Sequence, residues 1–302
     1  MKELAGKTAI ISGGAEGIGF AIAKELGGHG MNLVIADINK EQLEESEQKL
    51  ANAGFPVLAT QLDVVDDKQW QTVLDAAEAR FGNIHLLVNN AGVGGTSNPI
   101  ERDKASDWRW VVDVNLMGVA YGTQAVIPRI KSHNEGGWII NVASMAGFSP
   151  LPLGACYSAT KAAVVAMSES WHFELKEQNI HVSVLCPAFV KTRINQSHRN
   201  RQEQYVTDSS LQQSTKQSST SSSQMTAFAE KMQNIIDDAT PADLIAKRTV
   251  EALAQGELYI ITHPNFRVGI EARFKGITDA FKRAEKSPLL AEIAQQRMPD
   301  MF

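Results

Sequence analysis

Cysteine is scarce in this chain, with two residues, Cys156 and Cys186, in 302. Two thiols cannot build a disulfide framework, and they form no CxxC pair. The seven histidines (29, 85, 133, 172, 181, 198, 263) show no ligand spacing, so no metal is expected. Basic charge is also short: 29 Lys and Arg stand against 34 Asp and Glu, a formal charge of −5. That balance excludes the basic surface of a nucleic-acid or anionic-membrane binder. No apolar run approaches the roughly 20 residues that a bilayer span needs. The opening Met1-Lys2-Glu3-Leu4-Ala5-Gly6-Lys7 shows no apolar leader core, and no internal repeat is visible. With 43% hydrophobic and 21% charged residues, the composition is that of an ordinary globular protein, and a cytoplasmic one is expected.

What the chain does have is alternation. Apolar, β-branched runs at 8–11, 32–36, 57–60, 85–88, 138–142 and 181–185 are separated by segments of helical length at 40–53, 67–81, 103–133 and 157–178. The runs are apolar on both faces, as central parallel strands covered by helices are. Strand-helix-strand repetition predicts right-handed crossovers and an α/β doubly wound parallel sheet. Residues 258–261 supply a seventh strand, after a helix start at Thr240, Pro241 and Asp243 with a hydroxyl cap, Pro at N1 and an acid at N3. Ahead of that helix start, 209–224 is all Ser, Thr or Gln except Leu211 and Lys216, and predicts a mobile loop. Phe266, Ile270, Phe274, Ile277 and Phe281 recur at helical spacing in the tail. The expected division is therefore a domain over 1–262 and a helical extension over 263–302.

The first strand runs into Ser12-Gly13-Gly14-Ala15-Glu16-Gly17-Ile18-Gly19. Glycines at 13, 17 and 19 let the backbone turn tightly and approach a pyrophosphate, while a helix N-terminus offers free N–H groups. A bare tight turn is the alternative, but a position directly after the first strand favours the dinucleotide. Asp37 closes the second strand, where a carboxylate can accept from both adenosine ribose hydroxyls; capping the next helix is its other possible role. A 2′-phosphate would meet Asp37 and Glu16 with no basic fork nearby in sequence, so NAD rather than NADP is expected.

Tyr157 and Lys161 stand four apart in a helical segment, which places them on one face. An ammonium beside a phenol favours the phenolate; a lowering of about three pH units corresponds to roughly 4 kcal/mol, a large shift that is expected of a desolvated site with the nicotinamide cation nearby. Tyr157 could then exchange a proton with an alcohol or carbonyl oxygen near neutrality. Ser144 follows the fifth strand at the carboxyl edge, where its hydroxyl can donate to the same oxygen.

These motifs resemble those of the short-chain dehydrogenase/reductase family over about residues 4–194, with 240–261 similar to its last helix and strand. The glycine string resembles the family's cofactor motif, with Ser12 where Thr is commoner, and includes Ile18. Leu62-Asp63-Val64 is similar to the segment that contacts adenine, and Asn89-Asn90-Ala91-Gly92 to the fourth-strand motif. Asn115, Ser144, Tyr157 and Lys161 match the catalytic residues, and Cys186-Pro187-Ala188-Phe189-Val190-Lys191-Thr192 matches the nicotinamide loop, with Ala188 where Gly is usual.

The resemblance implies a single Rossmann domain with NAD bound by Gly13, Gly17, Ile18, Gly19, Asp37, Asp63, Val64, Asn90, Ala91, Gly92, Tyr157, Lys161, Pro187, Val190 and Thr192. It gives Lys161 the nicotinamide ribose hydroxyls, Asn115 a water in a proton relay and Thr192 the nicotinamide carboxamide. A helix kink at Asn115 and a cap at Thr192 are their plainer alternatives. It implies a secondary alcohol and ketone as substrate pair, a substrate loop over about 195–233, and a homodimer or homotetramer. Phe148, Leu151, Leu153, Phe189 and Met225 fall where the family's substrate is flanked, though core packing accounts for them too. The tail is similar to those of bacterial members acting on bulky aromatic alcohols. A non-catalytic NAD sensor or scaffold of the same fold is the alternative, and an intact Asn115, Ser144, Tyr157 and Lys161 set speaks against it.

Overall fold

Seven strands form one parallel sheet in the order β3-β2-β1-β4-β5-β6-β7. They are β1 (Thr8–Ser12), β2 (Asn32–Asp37), β3 (Val57–Gln61), β4 (Leu86–Asn89), β5 (Gly137–Val142), β6 (Ile180–Cys186) and β7 (Tyr259–Ile261), in a computed structural model that describes residues 4–206, 235 and 239–297. The expected Ser/Gln run at 209–224 and Met225 lie outside the described residues. Adjacent residues of one strand enter opposite hydrophobic layers: Ile11, Leu33 and Ile35 face one, Ile10 and Val34 the other. This is why the strand sequences read as unbroken apolar runs.

Helices α1 (Gly17–Gly28), α2 (Lys40–Asn52), α3 (Asp67–Phe81), α4 (Ala105–Val112), α5 (Gly118–Ser132), α6 (Ala155–Lys176) and α7 (Ala242–Gln255) flank the sheet. Asn39 caps α2 by accepting the Gln42 N–H (3.1 Å), and Asp66 caps α3 by accepting from Lys68 (3.0 Å) and Gln69 (3.4 Å). The long helix expected over 103–133 is α4 and α5 joined by a π-helical turn, Asp113–Met117. The start expected at Thr240 shifts by one: Pro241 takes the cap position of α7, and Thr240 instead bridges Val190 of the loop after β6. The chain divides into two compact units, Met1–Thr262 and His263–Phe302. In the second, α8 (Arg267–Glu285) is the amphipathic helix that the spacing predicts. Among the described residues no helix is long and apolar enough to cross a membrane.

Strand order reverses between β1 and its two neighbours β2 and β4, so the loops after β1 and β4 part there and leave a crevice at the carboxyl edge. The opposite edge of the sheet carries a buried histidine. His85 Nδ1 accepts the Thr8 N–H (3.2 Å), which obliges Nε2 to carry the proton toward Glu135 (3.0 Å). Burial pushes the His85 pKa below its ordinary 6.5. The stability that neutral His85 contributes is complete above pH 6.5 and is lost as pH falls below it. Calorimetry from pH 7.5 to 5.5 should show a steeper fall of Tm in the wild type than in His85→Gln; equal slopes would refute this.

Candidate active site

The glycine loop is pinned to the loop after β4. Ser12 Oγ donates to Val88 O (3.4 Å) and accepts the N–H of Asn90 (3.1 Å) and Ala91 (3.2 Å). Asn90 Nδ2 returns two bonds, to Ser12 O (3.0 Å) and Gly13 O (2.8 Å). A Cβ on Gly13 would lie 2.8 Å from Ala91 Cα, and one on Gly19 would lie 2.2 Å from Gly13 O. Gly17 turns at φ +58°, with Thr192 packed against its bare face. No side chain caps the start of α1, so its first N–H groups remain open to an anion. This cradle of bare backbone fits a dinucleotide pyrophosphate.

Asp37 is buried at the end of β2, its oxygens accepting the N–H of Ala15 (3.3 Å) and Asn39 (3.0 Å). Burial raises its carboxyl above the usual range. Capping of the next helix falls to Asn39, which leaves Asp37 free of that role. Ala188 adopts none of the positive φ values recorded among the described residues, so a methyl group there is accommodated without strain. Lys191 N–H donates to Thr240 O (3.0 Å) and Thr240 N–H to Phe189 O (3.1 Å), which fixes the loop carrying Pro187, Val190 and Thr192.

Ser144, Tyr157 and Lys161 meet at the end of β5. Gly147 allows this approach, because a Cβ there would come within 2.9 Å of Lys161 O. Ser144 is buried, accepts the Ala146 N–H (3.1 Å), donates to Pro187 O (3.3 Å) and is the hydrogen-bond partner of the Tyr157 phenol. Lys161 is 3% exposed, and its Nζ donates to Val142 O at 2.8 Å while lying 5.7 Å from the Tyr157 ring centre. Burial lowers the Lys161 ammonium to about 8. Burial raises the Tyr157 phenol above its ordinary value, Ser144 pulls it only partly back, and the ammonium held on Val142 does not reverse the sign.

One cleft of about 200 Å³ gathers most of the expected residues: Gly13, Gly17, Ile18, Asp37, Asp63, Val64, Asn90, Ala91, Gly92, Ser144, Tyr157, Lys161, Pro187, Val190 and Thr192. Gly19 and Asn115 stand behind its wall instead. Asn115, fully buried in the π turn, accepts the Val93 N–H (2.8 Å) and donates to Val93 O (2.9 Å) and Thr160 Oγ1 (3.4 Å). Its side chain holds the β4 loop and is not on the cleft. Phe148 packs edge-on against Tyr259, and Phe148, Leu151, Leu153 and Phe189 are absent from the wall; Cys156 is buried beneath Trp108.

Sequence reading missed the segment after Thr192. The expected open loop from residue 195 is, over 195–206, two short helical turns, Ile194–Asn200 and Glu203–Tyr205, with Arg193, Ser197, Arg199 and Gln202 on the cleft wall. Arg199 and Arg193 both pair with Glu16, Arg193 at 3.6 Å. Basic groups therefore do reach the glycine loop, contrary to the reading of the local sequence. The cluster of Arg193, His198, Arg199 and Arg201 was the available signal. His85, His133 and Glu135 bring donor atoms within 4.8 Å of one another, away from the cleft. Their ring nitrogens are engaged by Thr8, Glu135 and Ile84.

The short chain dehydrogenase family pattern matches residues 7–203. A C alpha-dehydrogenase of Sphingobium sp. (strain NBRC 103272 / SYK-6) is 30% identical over 99% of this chain and 93% of its own length. A CLA biosynthesis dehydrogenase/reductase of Lactiplantibacillus plantarum is 33% identical over 92% of this chain and 95% of its own. A short chain dehydrogenase/reductase from Burkholderia phymatum, solved in complex with NAD, is 35% identical and superposes with a TM-score of 0.84 over 92% of this chain and 96% of that one.

Asn115→Ala should cost about 2–4 kcal/mol by leaving both backbone groups of Val93 unpaired. Urea unfolding measures it, and a loss under about 0.5 kcal/mol would refute this account.

Proposed function

The chain belongs to the short-chain dehydrogenase family, and from that premise we propose that it is an NAD-dependent oxidoreductase interconverting a secondary alcohol and a ketone. The observation that carries this is the meeting of Ser144, Tyr157 and Lys161 on the cleft that the glycine loop opens into. NAD in the Burkholderia structure and the dehydrogenase names of the two relatives support it. When bound, the oxidised nicotinamide supplies a hydride acceptor and a positive charge.

Ser144 turns its one hydroxyl proton from Pro187 O to the substrate oxygen, and Tyr157 Oη takes the alcohol proton in oxidation or returns it in reduction. Lys161 keeps a positive charge beside that phenol and holds the nicotinamide ribose. Asn115 acts as a positioning residue through Val93. Asp37 accepts from the adenosine ribose hydroxyls, Asp63 and Val64 hold adenine, and Thr192 holds the carboxamide. The buried Asp37 carboxylate favours NAD over NADP, while Arg193 and Arg199 are already engaged by Glu16.

Val93 and Ile194 on the wall support an apolar or aromatic substrate. Free, buried Cys156 and Cys186 suit a cytoplasmic location. The exposed Phe173 on α6 supports pairing of copies into a homodimer or homotetramer.

Tyr157→Phe should retain NADH binding while alcohol oxidation falls at least about 100-fold, the lower end of what general acid–base catalysis provides. In the same assay NADP should give a kcat/KM at least about tenfold below that of NAD. Retained turnover in the variant would overturn the reading.

A further inference from the structure

The segment after the nicotinamide loop is strapped across the cleft at several points. Gly94 N–H donates to Ser197 Oγ (3.0 Å), and Arg199 pairs with Glu16 in the glycine loop. Arg201 bonds Asp107 (2.6 Å) with its guanidinium 4.9 Å over the Trp110 ring, and Tyr205 Oη donates to Asp113 (2.9 Å). Between these anchors Gln202 reaches the adenine side of the crevice. Its Nε2 donates to Asp63 Oδ1 at 2.9 Å, and its Oε1 accepts from Trp110 Nε1 at 3.0 Å. An indole N–H can only donate, so Trp110 fixes the amide with its NH₂ end toward Asp63. The Val65 N–H also donates to that oxygen (3.3 Å), which leaves it little remaining capacity.

A primary amide and the exocyclic amine of a purine are the same kind of donor: neutral, planar and able to meet a carboxylate edge-on. We infer that Gln202 is an internal competitor for adenine, holding its amide on the Asp63 oxygen that the base would use, so that the dinucleotide binds by displacing it. This rests on the reading of the cleft as a dinucleotide site.

The competition is confined to the adenine half. Ser144, Tyr157 and Lys161 come from the end of β5 and from α6, and no hydrogen bond recorded for Gln202 reaches them. Displacing the amide replaces one N–H donor on Asp63 by another, so that contact adds little net affinity, and the loss of the Trp110–Gln202 bond counts against binding. Removing the amide restores the full value of a hydrogen bond to a charged acceptor, about tenfold in affinity.

NADH fluorescence and calorimetry with ADP-ribose and nicotinamide mononucleotide, on the wild type, Gln202→Ala and Gln202→Glu, test the inference. Gln202→Ala should bind NADH and ADP-ribose about tenfold more tightly with mononucleotide affinity unchanged. Gln202→Glu, which sets a carboxylate against Asp63, should do the same. Equal or weaker ADP-ribose binding by both variants, with NADH still bound by the wild type, overturns the competitor and leaves the cofactor reading intact. No NADH binding by any of the three proteins overturns both.

Discussion

A buried ammonium resting on a strand-end carbonyl sets the geometry of the site. Lys161 Nζ on Val142 O ties α6 to the last residue of β5 and leaves the Tyr157 phenol beside Ser144. Isolating an ammonium from water costs several kcal/mol, and the site bears that cost for the charge it keeps. At about 8, the Lys161 pKa leaves most of that charge in place at neutral pH. Yet the same burial works against Tyr157, because desolvation penalises a phenolate as it penalises an ammonium. Activation of the phenol is thus a joint product: this chain supplies position, a cation and the Ser144 donor, and the remaining positive charge comes with the oxidised nicotinamide.

The fold was largely legible because its physics is local. β2 and β5 each lie between two other strands, so the buried positions along them are apolar on both faces, apart from Asp37 and Asn141 near their carboxyl ends. The glycines at 13 and 19 were legible for a comparable reason, since backbone packed against backbone admits no other side chain. Helix ends were read less well. Thr240 and Pro241 carry the letters of a cap and first turn, but the parallel bridge to Val190 holds Thr240 in extended chain and moves the start along by one. The partner of the Asn115 side chain, the Val93 backbone 22 residues away, is announced by no local pattern.

Nonlocal electrostatics was the part that the sequence concealed. Gln202 and Asp63 meet across 139 positions, and Glu16 gathers two arginines from the far end of the same segment. Read along the chain, that stretch merges into a Ser/Gln-rich run and looks like loop. Folded, its polar side chains find fixed partners on the rim of the cleft, and the ordering entropy is offset by ion pairs and by Tyr205 buried against Asp113.

The account is tested most directly by ultraviolet titration of the Tyr157 phenol, taken as the difference between the wild type and the Tyr157→Phe variant, with and without saturating NAD. It predicts a phenolate that forms only above the ordinary phenol range in the protein alone and at lower pH with NAD bound. A Tyr157 titration that ignores the cofactor, or one already ionised near neutrality in its absence, would contradict it.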